Sequence, residues 1–162
     1  MYKKCRLNNS LISYINLHFP YKKKQKSSYK YRVVIGIGGN VGDVKRRFEH
    51  LFYFFKREKR VELLQTSLIL KNPPFGYEEQ DDFFNSIVVL QTDMGAFKFL
   101  DYLMRVEKKF GRKRSFRNGP RTLDLDIIFF DDRKIATQKL TVPHSDWKNR
   151  VSVLIPLHGV NR

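Results

Sequence analysis

Two stretches of helical period, each enclosed by strand-like segments, constrain this chain more than anything else in it. DVKRRFEHLFYFFKREK places Val44, Phe48, Leu51, Phe52 and Phe55 at helical spacing behind Asp43, a residue suited to capping a helix. Residues 95–110 repeat the pattern, with Phe99, Leu100, Leu103, Val106 and Phe110 on one side. Apolar, β-branched runs at Tyr31–Gly39, 61–70, Phe83–Thr92 and 121–130 read as strands. The order is therefore β-α-β-β-α-β. No helix separates the second and third strands, which disfavours a doubly wound parallel sheet, because parallel neighbours need a crossover. The pattern predicts an α+β chain of ferredoxin-like arrangement: an antiparallel sheet with both helices on one face. Two connections, residues 71–81 and 111–120, are longer than that scaffold needs, and each leads directly into a strand. Long loops on a compact scaffold are where binding groups are placed.

The charge is as uneven as the pattern is regular. The chain of 162 residues carries a formal net charge of +16, yet no Asp or Glu occurs before Asp43. Residues 1–31 are therefore expected to be a basic extension, read as a solvated, anion-attracting tail, with one domain over residues 32–162. A second basic run, RVEKKFGRKRSFRNGPR, has only Glu107 opposing it. Such charge predicts polyanionic partners, either nucleic acid or a nucleotide phosphate. A hydrophobic content of 41% with 14 phenylalanines argues against disorder over most of the chain. The lone cysteine, Cys5, excludes an internal disulfide framework and suits a reducing compartment. No run reaches the length of a membrane span, and LISYINL is too short and polar for a secretory core, so a cytoplasmic location is expected.

The candidate chemistry centres on RTLDLDIIFF. In a strand, Asp124 and Asp126 point to one face, about 7 Å apart, while Leu123, Leu125 and Ile127 point to the other. Like charges this close repel, so a cation should sit on them or water should face them. Two solvated carboxylates on an open sheet face would account for an isolated D-x-D. Here the pair follows RNGPR and a basic loop, the setting in which Mg²⁺ takes one or two carboxylates plus phosphate oxygens. The spacing would let the pair flank two ions roughly 3.5–4 Å apart. GIGGNVGD matches neither a P-loop nor the dinucleotide fingerprint; its glycines fit a tight turn or a close backbone approach to a ligand equally well. His144 has no partner at metal-ligand spacing, but its place before Arg150 permits contact with phosphate. Asn85 is polar within an apolar strand: either it faces solvent at a sheet edge, or its amide reads the edge of a heteroaromatic ring, with Phe83 two residues away to stack on it.

NPPFGYEEQDDFFNSIVVLQT, GPRTLDLDIIFF and LTVPHSDWKNR, in that order, closely resemble the 6-hydroxymethyl-7,8-dihydropterin pyrophosphokinase family of folate biosynthesis, and GIGGNVGD resembles that family's opening turn. The resemblance implies the same ferredoxin-like fold with long active-site loops. It implies transfer of the β,γ-pyrophosphoryl unit of ATP to the pterin hydroxymethyl oxygen, releasing AMP, with two Mg²⁺ ions. Carried over by position, Asp124 and Asp126 would bind the metal. Arg112 and Arg114 would be the loop arginines, counted with the aspartates as catalytic. Glu107, Arg112, Arg121, His144 and Arg150 would meet ATP. Asn72, Pro74, Phe75, Phe83 and Asn85 would form the pterin pocket. The partners would be these two substrates, with no specific nucleic acid, no membrane and a monomeric chain. Asn118 stands where many relatives have tryptophan, and Ser152 where several have a phenylalanine that stacks on the second pterin face. Two rivals share the pattern. An RRM-like RNA-binding module has the same strand order, but FFNSIVVLQ lacks its aromatic signature. A non-catalytic nucleotide-binding relative is opposed by the intact Asp124, Asp126, Arg121 and His144.

Overall fold

The basic stretch at the start of the chain is not a solvated tail. In the computed structural model, which describes residues 1–113 and 116–160, it forms three short strands: β1 (Lys3–Arg6), β2 (Ile12–Ile15) and β3 (Tyr21–Lys22). Lysines dominate its composition, but Leu11, Tyr14 and Phe19 are buried, and it is these apolar groups that dock it. The chain continues through β4 (Tyr31–Gly39), α1 (Val44–Arg57), β5 (Val61–Thr66), β6 (Ile69–Asn72), β7 (Phe83–Thr92), α2 (Ala96–Lys109) and β8 (Asp124–Phe130). A small hairpin of β9 (Ile135–Ala136) and β10 (Thr141–Val142) and a short helix, α3 (Val151–His158), complete it.

The main sheet runs β1-β2-β6-β7-β4-β8, with β5 also beside β7 and β3 beside β5. Every paired neighbour is antiparallel. The single strand expected over residues 61–70 is two. Ser67 interrupts it: its Oγ, not a carbonyl, accepts from the Ile87 backbone N–H at 2.8 Å, while its own N–H donates to the Ile87 carbonyl at 2.9 Å. Both β5 and β6 nevertheless lie along the same side of β7. The last strand starts at Asp124 rather than Arg121, because the Arg121 carbonyl is taken by the turn after β4, accepting from Asn40 N–H at 2.9 Å.

The helices form as their periodicity dictates. Asp43 caps α1, its carboxylate accepting from the Arg46 N–H. Phe48, Leu51 and Phe55 of α1 and Phe99, Leu103 and Val106 of α2 pack with Val33, Ile35 and Ile37 of β4 in one core. Each fully buried phenylalanine there contributes roughly 1.5–3 kcal/mol. Leu125 and Ile127 of β8 belong to this core, so α1 and α2 share one face and the aspartates of β8 turn to the other. On that second face α3 covers Val34, Ile87, Val89 and Ile128 with Val153 and Leu157. Among the described residues no helix is long and apolar enough to cross a membrane.

Candidate functional site

The second face is left uncovered at one end, where β6, β7, β4 and β8 come together. Gly38 of β4 lies opposite Asn85 on one side and Asp124 on the other; Gly36 lies opposite Asp126. With no side chains at 36 and 38, the middle strand forms the floor of a trough with Asn85 along one bank and the aspartate pair along the other. A Cβ at Gly38 would stand 2.6 Å from Asn85 Oδ1. If Asn85 reads the pterin, as the resemblance implies, Gly38→Ala is expected to turn its amide away and weaken pterin binding by roughly tenfold or more, with only a modest fall in melting temperature. Titrations of the pterin and of ATP check this, ATP binding being unaffected.

Two cavities meet at the aspartates. One, of about 430 Å³, is lined by Asn72, Pro74, Phe75, Phe83, Asn85 and the β4 glycines, with His144, Arg150 and Ser152 around it. The other, of about 680 Å³, lies toward α2 and the loop after it, with Leu100, Met104, Glu107, Arg112 and Phe116 in its wall. Arg121, Asp124 and Asp126 line both. The structure thus gathers every described residue named from the sequence into one two-chambered site; Arg114 lies outside the described residues.

Electrostatics explain how the aspartate pair is tolerated. Asp124 is held by two arginines, accepting from Arg112 Nη1 on one oxygen and from Arg121 Nη1 on the other, each at 2.9 Å. Arg112 also bonds Glu107, a buried carboxylate whose other oxygen accepts the Leu125 N–H at 2.9 Å. Burial pushes Glu107 above the usual carboxylate range. Asp126 is pushed up to about 7 by burial and then by the Asp124 charge beside it, only partly offset by Arg121. A cation placed between the two would relieve both. Among the described residues no group of three or more His, Cys, Asp or Glu converges on a metal position. The two carboxylates at the junction of the chambers fit an ion such as Mg²⁺ that takes most of its ligands from phosphate and water.

In the first chamber, Asn85 Nδ2 donates to Asn72 Oδ1 at 2.7 Å, which fixes the orientation of the Asn85 amide. Asn85 is half-buried and lines the first chamber from β7, which lies between β6 and β4 and not at a sheet edge. Phe75 is 66% exposed, with the Arg150 guanidinium 5.1 Å above its ring. The Arg150 Nε is buried without a hydrogen-bond partner among the described residues. Burial and Arg150 lower the pKa of His144, and its Nδ1 accepts from the Asp146 N–H at 3.2 Å, so the neutral ring carries its proton on Nε2.

Sequence reading missed what binds the two long loops together. Asn40 accepts the Arg121 N–H on its Oδ1 at 2.8 Å, and its Nδ2 donates to Gln80 Oε1 and to the Asp81 carbonyl, both at 2.9 Å. Gln80 Nε2 in turn donates to the Asn118 carbonyl at 2.7 Å, while Tyr77 and Phe116 meet edge to face at 5.1 Å. A polar side chain at the end of a glycine turn was the available signal for Asn40.

Fold and site together define an α+β protein with a carboxylate–arginine centre between two chambers. The family model described as 7,8-dihydro-6-hydroxymethylpterin-pyrophosphokinase matches residues 34–162. A 2-amino-4-hydroxy-6-hydroxymethyldihydropteridine pyrophosphokinase of Campylobacter jejuni is 42% identical over 139 residues, covering 86% of this chain and 88% of that protein. Proteins of the same name from Helicobacter pylori and Bacillus subtilis are 37% and 36% identical, covering 86% and 76% of this chain and 86% and 74% of their own lengths. The chain belongs to the 7,8-dihydro-6-hydroxymethylpterin-pyrophosphokinase family.

Proposed function

We propose that this chain is an ATP-dependent pyrophosphokinase of folate biosynthesis, transferring pyrophosphate from MgATP to 6-hydroxymethyl-7,8-dihydropterin and releasing AMP. The observation that carries this reading is the aspartate pair, half-buried at the junction of two chambers. One chamber offers an amide and an aromatic ring, suited to a flat heterocycle; the other offers apolar walls and arginines, suited to a nucleotide. Family membership supports the same reaction, and the RNA-binding alternative is not favoured.

The chain's residues divide the work as follows. Phe83 stacks on the pterin and Asn85, oriented by Asn72, reads its edge, while Pro74 and Phe75 close the pocket wall. Arg121, His144 and Arg150 contact the triphosphate, and Arg112 reaches it from beside Glu107. Asp124 and Asp126 would hold two Mg²⁺ ions, which would supply charge neutralisation for the phosphoryl oxygens. Before substrates arrive, Arg112 and Arg121 neutralise Asp124; on binding they exchange the carboxylate for phosphate. The pterin hydroxyl attacks the β-phosphorus in line, and catalysis comes from positioning and charge compensation, with no covalent enzyme intermediate.

We further infer a ferredoxin-like arrangement for residues 32–162, with residues 1–31 added at its sheet edge. The antiparallel strand order and the shared face of α1 and α2 support it. We take the working form to be a cytoplasmic monomer without a specific nucleic-acid partner. AMP release from ATP, measured with and without the pterin and Mg²⁺, tests the reaction. Release is expected to require both and to vanish in Asp126→Ala. Absent or pterin-independent AMP formation by folded protein would overturn it.

A further inference from the structure

The β1–β2 hairpin lies ahead of the residues matched by the family model, yet it pairs with the strand that ends in Asn72, the partner of Asn85. Strand β6 is four residues long and begins two residues after Ser67. Its last residue, Asn72, lies opposite Phe83 and is the acceptor that orients Asn85. A four-residue edge strand with a single neighbour is marginal in water. Here β2 provides the second neighbour, pairing Ile12 with Lys71, Ser13 with Leu70 and Tyr14 with Ile69.

The side chains reinforce the pairing on the face away from the site. Tyr14 is buried, and its ring lies 5.9 Å from that of Phe84, the residue between Phe83 and Asn85. The Lys45 ammonium of α1 sits 4.1 Å from the Tyr14 ring centre and 5.8 Å from that of Phe84. The hairpin is fastened to α1 through Glu49. Tyr2 Oη donates to it at 2.9 Å, His18 Nδ1 lies 2.5 Å from its second oxygen, and Asn16 donates to the first. Although burial pushes Glu49 up, these bonds from His18, Asn16 and Tyr2 hold it below the usual carboxylate range.

We infer that the N-terminal hairpin is a positioning element for the pterin site: through β2 and Tyr14 it clamps β6 and Phe84, and so fixes the Asn72–Asn85 pair. The inference rests on the pterin reading of the first chamber. Its consequence is selective, because the second chamber is built from α2, β8 and the loop between them, none of which β2 pairs with.

Tyr14→Ala separates the possibilities, with Tyr14→Phe, which keeps the ring, as rescue. Phe19→Leu serves as a control that loosens the extension where it packs on Phe48 and Phe52. In Tyr14→Ala, KM for the pterin is expected to rise about tenfold or more while KM for ATP stays within about twofold. Backbone hydrogen exchange in ligand-free protein is expected to quicken across residues 69–72. Tyr14→Phe restores both readouts, and Phe19→Leu lowers the melting temperature without moving either. Equal changes in the two KM values, no change in either, or the same split in Phe19→Leu would overturn the inference. Wild-type protein without pterin-dependent turnover would instead sink the functional reading. The exchange rates then decide alone, faster exchange at 69–72 supporting the clamp and unchanged exchange refuting it.

Discussion

Asp126→Asn is expected to remove turnover by about a thousandfold or more while making the ligand-free protein more stable at pH 8. The loss follows from the metal role proposed for Asp126. Charge neutralisation of a transferring phosphoryl group accounts for several kcal/mol of barrier, and about 4 kcal/mol corresponds to a thousandfold in rate. On the proposed metal role, an amide in place of one carboxylate would weaken the ion's hold where both chambers meet.

The gain in stability follows from the raised pKa. Asp126 moves from 3.8 to about 7 on folding, so between those values the folded chain binds more protons than the unfolded one. Stability from this group is therefore full below about pH 3.8, falls as pH rises, and stays low above 7. Ionised Asp126 costs roughly 1–3 kcal/mol at pH 8 after allowance for its partial exposure. Asparagine carries no such cost, so its melting temperature should exceed the wild type's by roughly 3–8 °C at pH 8 and by much less at pH 4. Mg²⁺ should narrow the gap by stabilising the wild type alone. A gap equal at both pH values would contradict the argument. A destabilised Asp126→Asn protein at pH 8 would contradict it too.

How much of this could be read from the sequence depends on how local each cause is. The helices were legible because Val44, Phe48, Leu51 and Phe55, and likewise Phe99, Leu103 and Val106, write their buried faces into the spacing. The aspartate pair was legible by alternation along β8. The break at Ser67 was not, because its cause is a hydrogen bond to Ile87, twenty residues away. The N-terminal strands were hidden by their lysines, although Leu11, Tyr14 and Phe19 were in plain view. Helix α3 was missed because VSVLIPLH is β-branched and contains Pro156 within the helix; it is held by packing on Val34, Ile87 and Ile128. Arg112 and Arg121 both pair with Asp124, a partnership that spacing alone does not assign.

Arg112→Ala is the second change expected to have a large effect, for two separable reasons. Arg112 is nearly buried, and it bridges Glu107 and Asp124 with one nitrogen. Removing it strands the Glu107 carboxylate in the interior with only the Leu125 N–H as partner, an uncompensated charge that costs about 3–5 kcal/mol. For a chain of this size the melting temperature should fall by roughly 10 °C. Turnover should fall by about a hundredfold or more, because a guanidinium leaves the chamber proposed for the nucleotide. Pairing the change with Glu107→Gln separates the effects: the amide suits burial without a cation, so stability should return while turnover does not. Arg112→Lys should rescue neither fully, since an ammonium does not reproduce the planar fork of donors. Unchanged melting and unchanged turnover in Arg112→Ala would remove Arg112 from both roles. Recovery of turnover in the double variant would reduce it to a counter-ion for Glu107.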